Sequence, residues 1–508
     1  MEPIQATIRI ERGRIQSVEP MLGGVRIISE AGIDFYPDCW ALPGFVDSHA
    51  HIFGLGSRLQ GLSLYDAKSA EECVGKAIMH PATRGGWVVG MGWNQQLWKI
   101  KEYPTFHILD AAFSDVPVYL SRADGHAAWV NSVALRIAGI TSLTVNPAGG
   151  EILKDKSGNP IGILIDNAMD LVRKHIPHYS IEEQVLMLKT AADHCISHGI
   201  TEVHDMDVPS YLLPIFSQLA ERAELPIRVQ SYVKAQANEW MKEGLLPAIG
   251  EFFRICGLKF FADGALGSRG AALLEPYSDA PETKGLFLLS ERDLYRKAKA
   301  GIEFQWDIAT HAIGDAANRM VLNVYERLRK EKIAHSETIL RIEHAQIVYP
   351  DDLHRFAEHQ IIAAVQPIHC ISDAPMARAR LGKRCEYSYP WRSLRNNGIA
   401  ISAGTDFPIE SANPLLGIDA YLRRVPFGEK KSWFANECIT RQEALFSYTL
   451  WAHEASAMSY RRGIIQPKFD ADIVIHNKNL VTCPSDEILS TSVIAAYTAG
   501  TLRYKQNL

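Results

Sequence analysis

The chain has 508 residues, of which 47% are hydrophobic and 22% are charged, and its formal net charge is -5. This composition is typical of a globular protein, and the absence of a Lys/Arg-rich block argues against a nucleic-acid-binding protein. The first residues lack a signal-peptide pattern, and no apolar run approaches the roughly 18 residues of a membrane span. The eight cysteines contain no Cys-x-x-Cys pair. We therefore expect a soluble cytoplasmic protein that acts on a small-molecule substrate, not on nucleic acid or membrane.

The two ends of the chain have the alternating pattern of short β-strands. The run "ATIRIERGRIQSV" alternates isoleucine with polar residues and turns near Gly13, and "ADIVIHNKNL" and "VIAAYTAGTLRYK" near the other end have the same pattern. Short terminal strands need partners to be stable. We therefore expect residues 1–44 and 460–508 to come together as one small β domain.

Between the two ends, strands and helices alternate. Helix starts are marked by the capping-box pairs Ser180/Glu183, Ser290/Asp293 and Thr440/Glu443. Eight apolar strands separated by helices predict an α/β fold of the (β/α)8 barrel type over residues 45–459. About 150 residues separate His51 from the strand that holds His204, which is far too long for one loop. This interval predicts an inserted subdomain at about 60–178, and we expect it to cover one end of the barrel.

Ionisable side chains recur at the predicted strand ends, where barrels of this type carry their catalytic residues. Four imidazoles and one carboxylate near one rim match the mixed nitrogen and oxygen ligands that zinc accepts. Residues two apart on a strand face the same side, so the first two histidines both point into the barrel. In chain order the strand-end residues are His49 and His51, His204, Lys259 and Asp263, His311, His344, His369 and Asp406.

Each of these residues also has an ordinary structural interpretation. A single His-x-His pair is weak support for a metal site. His311 could cap the following helix, and His344 could be a satisfied core histidine. Asp406 could be an N-cap, a common role of aspartate before a helix. The recurrence at successive strand ends of one barrel favours the metal site.

The sequence resembles the amidohydrolase superfamily of metal-dependent hydrolases. More narrowly, it resembles the amidohydrolase 3 branch, which includes N-substituted formamide deformylase and YtcJ-like proteins. The resemblance implies a TIM barrel with a large insertion after its first strand and a small β-sandwich built from both chain ends. It spans nearly the whole chain and rests on "PGFVDSHAH", "GWNQQLW", "SRADGHAAWVNS", "LKFFADGALGSRGAAL", "THAIGDAANRMVLNVYE", "RIEHAQ", "SAGTDFPIESANPL" and "RRGIIQPKFDADIVIHNKN".

The resemblance also implies roles for the strand-end residues. His49 and His51 would hold the more buried metal, and His311 and His344 the more exposed one. Asp406 would bind metal and act as the proton-accepting base. One or two divalent ions, most simply zinc, are therefore the expected cofactor.

Lys259 has two interpretations. In superfamily members with two metals, a lysine on the fourth strand is often carboxylated by carbon dioxide and bridges the ions. A carbamate is a carboxylate on a long stem, so this chemistry is reasonable. Alternatively, Lys259 remains a plain lysine and the site holds one metal.

Further residues are expected to contact the substrate. In the insertion, the resemblance implies that Asp124, His126 and Asn131 approach it, although a structural loop is an equal alternative. An arginine in the Gly-rich loop after the fourth strand would suit a carboxylate-bearing substrate, although such a loop could merely turn tightly. The remaining substrate-contact candidates are Trp93, which could line a lid or belong to a core, and Asp263, Arg269, His204 and His369.

The expected reaction is hydrolysis of a carbon–nitrogen bond other than a peptide bond, through a metal-activated hydroxide with Asp406 as general base. The bond would belong to a non-peptide amide, a formamide or a cyclic amide. Two alternatives stay open: deamination or decarboxylation at the same site, and a non-enzymatic regulatory protein with a residual barrel. Dimers are common in the superfamily that the sequence resembles, so the resemblance implies a homodimer as one expected assembly.

Overall fold

The computed structural model describes residues 4–80, 83–123, 125–147 and 149–506. Asp124, which was expected near the substrate, lies outside these described residues. The chain divides into two compact units. The first unit comprises Met1–Ile52 and Ala191–Leu508, and the second comprises Phe53–Thr190.

The chain starts in a four-stranded sheet. Its spatial order is β2-β1-β3-β4, with β1 and β3 parallel and the other pairs antiparallel. The fifth strand belongs to a different sheet, in which it pairs with strands from the other end of the chain. The five strands are β1 (Ala6–Glu11), β2 (Arg14–Pro20), β3 (Gly24–Ser29), β4 (Gly32–Pro37) and β5 (Trp40–Pro43).

The second unit follows β6 (Phe45–Ala50), the first strand of the barrel. Successive residues of a strand face opposite sides, so Trp129 enters one hydrophobic core of this unit while Ala128 and Val130 enter another. The predicted inserted segment 60–178 lies inside this unit. Its elements are α1 (Ile52–Gln60), β7 (Leu62–Ser63), α2 (Ala70–Met79), β8 (Thr83–Arg84), β9 (Trp87–Trp93), α3 (Phe106–Asp110), β10 (Val118–Arg122), β11 (Ala127–Val130), α4 (Ser132–Ile137), β12 (Gly150–Lys154), β13 (Pro160–Asp166) and α5 (Asp170–Arg173).

The remaining barrel strands alternate with helices, as the sequence predicted. Across the described residues, eight parallel strands form one sheet in the order β6-β14-β15-β16-β17-β18-β19-β20. From Ile181 to Glu454, the helices and strands are α6 (Ile181–Ser197), β14 (Ile200–Val208), α7 (Leu213–Glu221), β15 (Arg228–Lys234), α8 (Glu239–Lys242), β16 (Phe253–Phe261), α9 (Glu291–Glu303), β17 (Asp307–Ala312), α10 (Asp315–Lys330), β18 (Leu340–His344), α11 (Leu353–Glu358), β19 (Ile361–Val365), α12 (Pro367–Leu381), α13 (Trp391–Asn396), β20 (Ile401–Ala403), α14 (Pro414–Arg423), α15 (Arg441–Ser447) and α16 (Leu450–Glu454).

Backbone hydrogen bonds join the last barrel strand to the first. The Asp406 N–H donates to the carbonyl of His49 at 2.7 Å, and the His51 N–H donates to the carbonyl of Phe407 at 2.9 Å. The carboxylate of Asp47 accepts from the backbone and hydroxyl of Thr405. Three of the predicted metal ligands therefore lie at the seam where the barrel closes.

The three predicted capping boxes are present as N-terminal caps. The Ser180 hydroxyl accepts from the backbone of Glu183, and the Ser290 hydroxyl accepts from the backbone of Asp293. Thr440 forms the full reciprocal pair with Glu443. None of the helices in the described ranges combines the length and apolarity needed to cross a bilayer.

The last strands form a second sheet at the chain ends. Its order is β23-β22-β21-β5, and all its pairs are antiparallel. One core contains side chains of both end sheets, among them Ile8 and Val25 from the first and Ile473 and Tyr497 from the second. The two end sheets thus share a core, and their assignment as the predicted β-sandwich stays a prediction. The strands are β21 (Ile473–His476), β22 (Val493–Thr498) and β23 (Thr501–Lys505).

Candidate functional site

The predicted metal ligands converge at the C-terminal rim of the barrel. Donor atoms of His49, His344 and Asp406 all lie within 4.8 Å of one another, and all three residues are buried. Nε2 of His51 lies 3.2 Å from Oδ1 of Asp406. The rings of His311 and His344 are 4.4 Å apart between centroids. Strand-end residues separated by more than 350 positions thus meet because parallel strands end at the same rim.

Three of these histidines have their Nδ1 atoms held by acceptors. Nδ1 of His49 donates to Oε2 of Glu343 at 2.5 Å, and Nδ1 of His51 donates to the carbonyl of Met206 at 2.9 Å. Nδ1 of His344 donates to the amide oxygen of Gln366 at 2.7 Å. Each contact fixes the ring and leaves Nε2 free to face a cation, which is how metal-binding histidines are usually oriented. At His51, Nε2 would have to give up its contact with Asp406 and its proton to bind one.

Two further ligand candidates have buried donor atoms that find no hydrogen-bond partner among the described residues. These atoms are Nζ of Lys259 and Nε2 of His311. Burial lowers the pKa of Lys259 to about 8 and that of His311 to about 3. Buried polar atoms are rarely left without a partner unless a ligand or ion completes them. The donor set and these unpartnered atoms therefore fit a divalent cation centre.

Asp406 is the carboxylate of the cluster. Burial alone would raise its pKa, but the hydrogen bond from His51 and the charges of His49 and His369 hold that pKa below its usual value. The backbone of Asp406 has φ of 58° and that of His344 has φ of 74°. Such left-handed conformations cost energy outside glycine and cluster at functional sites.

The cluster forms the floor of a cavity of about 440 Å³. One part of its wall is apolar and includes Phe261, Leu266 and Met376. Another part is polar and includes the carboxylates of Asp373 and Glu410. A cavity with apolar walls and a few fixed polar groups suits a small organic molecule.

His204 and His369 take different positions around the cluster. His204 is fully buried, and its Nδ1 accepts from Nη1 of Arg341 at 3.0 Å. It therefore contacts Arg341, which bonds the carboxylate beneath His49, and a substrate contact of His204 stays a prediction. His369 lies in the first turn of α12, lines the cavity, and places Nε2 3.9 Å from Oδ2 of Asp406.

Asp263 and Arg269 lie in the loop that follows β16, and both side chains have partners within the protein. The buried Asp263 carboxylate accepts from the backbone N–H groups of Ala272, Ile313 and Gly314, and it lies 3.5 Å from Nε2 of His311. It thereby fixes the strand end that carries His311. Arg269 forms a two-point ion pair with Asp279, with Nη2 to Oδ2 at 3.0 Å.

The substrate-contact candidates of the second unit have partners within that unit. Trp93 is fully buried in a core, and its Nε1 donates to the carbonyl of Leu120 at 2.8 Å. The fully buried Asn131 caps α4 and bonds the backbone of the segment before β10. His126 is largely exposed, and its Nδ1 lies 2.7 Å from Oδ1 of Asp166. A substrate role for these three residues stays a prediction.

Several residues around the site were not predicted from the sequence. Glu343 and Arg341 lie two apart on β18, and Arg341 donates to Glu343 beneath His49. Their alternation in a buried strand was the signal that could have placed both inside the barrel. Gln366 and Asp373 lie at and within α12, outside the quoted motifs, and Glu410 lies within "SAGTDFPIESANPL", where Asp406 was the residue singled out.

The chain is similar in sequence and in structure to known proteins. The model of the amidohydrolase family matches residues 38–504. YtcJ of Bacillus subtilis (strain 168) is 35% identical over 444 residues, which cover 85% of this chain and 83% of YtcJ. N-substituted formamide deformylase of Arthrobacter pascens is 24% identical over 484 residues, which cover 92% of this chain and 88% of the deformylase. An uncharacterised metal-dependent hydrolase of Pyrococcus horikoshii has a solved structure that matches with a TM-score of 0.78 at 27% identity, covering 95% of this chain and 98% of that one. The chain therefore belongs to the amidohydrolase family, in the amidohydrolase 3 branch that its motifs predicted.

Proposed function

We propose that this protein is a metal-dependent hydrolase that cleaves a carbon–nitrogen bond in a formamide, another non-peptide amide or a cyclic amide. The observation that carries the proposal is the convergence of His49, His344 and Asp406 at the floor of the cavity. The name of the deformylase relative supports a formamide or related amide as the substrate class.

The donor set fits zinc, which accepts imidazole and carboxylate ligands together. A divalent cation supplies a Lewis acid for the carbonyl oxygen and lowers the pKa of a coordinated water to about 7. The residues that would hold one or two such ions are His49, His51, His311, His344, Asp406 and Lys259.

We assign the proton transfer to Asp406. Its carboxylate is ionised at neutral pH, because His51 and the neighbouring histidines hold its pKa low. Oδ1 or Oδ2 accepts a proton from the attacking water and returns it to the leaving nitrogen. The water oxygen bonds to the carbonyl carbon, the carbon–nitrogen bond breaks, and the products are an acid and an amine.

Lys259 is suited to carboxylation. Burial favours its uncharged amine, and the uncharged amine is the form that adds to carbon dioxide with loss of a proton. Nζ would form a bond to the carbon of carbon dioxide, and the resulting carbamate would offer a carboxylate as a metal ligand. Lys259→Ala should bind fewer ions per chain than the wild type, and a short carboxylic acid such as acetate should restore part of the lost metal content.

The reaction is tested with zinc-loaded protein and matched libraries of formamides, other amides, lactams and primary amines. The proposal predicts that a new primary amine and an acid appear together, and that Asp406→Asn lowers kcat by about a hundredfold or more. Ammonia release without an acid product would indicate deamination instead. Inertness across every library, with zinc bound, would favour the non-enzymatic alternative.

A further inference from the structure

We infer that the substrate carries a positively charged arm, such as a protonated amine, which the carboxylates of Asp373 and Glu410 bind on the wall of the cavity. This inference rests on the proposed amide hydrolysis and names the class of amide. It assigns a specificity role to two residues outside the metal cluster.

The acidic wall consists of Asp373, on one face of α12, and Glu410, in the segment between β20 and α14. His369, Asp373 and Met376 line the cavity, and their spacing of four and three positions places them on one helical face. His369 is next to Asp406, while Asp373 lies one turn further along, about 6 Å along the helix axis. A substrate whose carbonyl lies at the cluster can therefore reach Asp373 with its other end.

Both carboxylates are held in place by neutral donors. The Tyr389 hydroxyl donates to Oδ2 of Asp373 at 3.1 Å, and that hydroxyl accepts from Nε2 of Gln346 at 2.6 Å. The Ser372 hydroxyl donates to Oε1 of Glu410 at 2.6 Å. These contacts orient the carboxylates without neutralising their charge.

Neither carboxylate has a lysine or arginine partner in the part of the chain that the structure describes. Burial raises the pKa of Asp373, because a half-buried anion is poorly solvated. A cation at this wall would relieve that cost, whereas an anionic group would add repulsion. Carboxylates without a cationic partner therefore repel anionic ligands and favour cationic ones.

The lysine and arginine side chains near the cavity do not offset this charge, and the imidazole of His369, one turn away on α12, offsets only part of it at Asp373. Lys259 lies on the floor with the metal-ligand candidates. Arg269, which would suit a carboxylate-bearing substrate, is paired with Asp279. The apolar residues Leu266 and Met376 flank the route from floor to wall. The favoured substrate thus has an apolar linker between its amide and its cationic group.

Three formamides of similar length test the charge preference on the zinc-loaded full-length protein: N-formylputrescine, neutral N-pentylformamide and anionic N-formyl-aminovalerate. The cationic formamide should have a kcat/KM about tenfold or more above the neutral one, and the anionic one should be slowest. Asp373→Asn and Glu410→Gln should each lower the cationic-to-neutral ratio severalfold, and together they should bring it close to one. Glu429→Gln is the matched control, because Glu429 pairs with Arg378 and does not line the cavity.

A neutral or anionic preference, or a ratio unchanged in both variants, would overturn the inference while leaving amide hydrolysis in place. If no formamide or other amide is hydrolysed, the proposed reaction fails, and charge selection is then measured by calorimetry with pentylamine and pentanol. Tighter binding of pentylamine that is lost in Asp373→Asn would support the acidic wall independently of turnover. Equal binding of the two probes would contradict it.

Discussion

Oε2 of Glu343 lies 2.5 Å from Nδ1 of His49, and both oxygens of the same carboxylate accept hydrogen bonds from Arg341. Burial alone would raise the pKa of Glu343, but the guanidinium of Arg341 and the contact with His49 hold it well below its usual value. The carboxylate is therefore ionised and increases the basicity of His49. Arg341 in turn donates to the carbonyl of Ser48 at 2.6 Å, so the ligand strand is held from two sides.

The first prediction concerns this contact. Glu343→Gln keeps the shape of the side chain but removes the charge that orients and polarises His49. We expect zinc affinity to fall by about 10- to 100-fold, measured by competition with a chromophoric chelator. Glu437→Gln is the control, because it removes another buried carboxylate, one that bonds Ser393 rather than a ligand candidate. Equal affinities of Glu343→Gln and wild type would show that the contact does not tune the site.

The second prediction concerns the seam of the barrel. A Cβ atom at Gly404 would lie 2.5 Å from the backbone nitrogen of His49 and 2.7 Å from its Cβ. Because these atoms cannot move independently of the strand, Gly404→Ala should push β20 away from β6. We expect a loss of about 1–3 kcal/mol in the free energy of unfolding and weaker zinc binding. Denaturant titration and chelator competition measure the two effects.

Gly75→Ala is the matched control for that variant. Nothing lies within 4 Å of a Cβ placed at Gly75, which is in the middle of α2. Alanine is the better helix former, so this variant should be neutral or slightly stabilised. If Gly404→Ala behaved in the same way, the close approach of the two strands would be refuted.

The third prediction concerns Asn131. Its amide accepts from the backbone of Val118 and Ala134 and donates to the carbonyls of Phe113 and Val116. Asn131→Ala should lower the free energy of unfolding by about 2–4 kcal/mol, since buried backbone groups lose their partners. Asn94→Ala, at an exposed cap, is the milder control. A changed KM without lost stability would instead support the predicted substrate contact.

The fourth prediction concerns acid stability. Burial alone would raise the pKa of Glu443, but Arg392 and the cap at Thr440 lower it from 4.5 to about 2. Its contribution to stability is therefore present above pH 4.5 and is lost as the pH falls toward 2. Glu443→Gln should lower Tm at pH 7 and flatten the fall of Tm between pH 5 and 2.

Thermal unfolding across this pH range measures the effect. Glu358→Gln is the control, because Glu358 is exposed and its contact with His354 is long, at 3.8 Å. Parallel Tm curves for Glu443→Gln and wild type would contradict the assignment. A steeper curve for the variant would do the same.

The sequence predicted the barrel because its strands are buried on both faces, and some of them are therefore apolar throughout, as β19 is. It predicted the ligand candidates because His49, His311, His344 and Asp406 occupy equivalent strand ends. The helix starts at Ser180, Ser290 and Thr440 were also predictable, since a cap depends on residues only three positions apart.

The chain by itself thus determined which residue types stand at each strand end, because local periodicity and capping are properties of neighbouring positions. Only the tertiary structure decided what those side chains contact. The contact of His204 with Arg341, the support of His49 by Glu343 and the acidic wall of Asp373 and Glu410 depend on segments distant in sequence. Such contacts follow from how strands and loops pack, and the spacing of residues along the chain does not predict them.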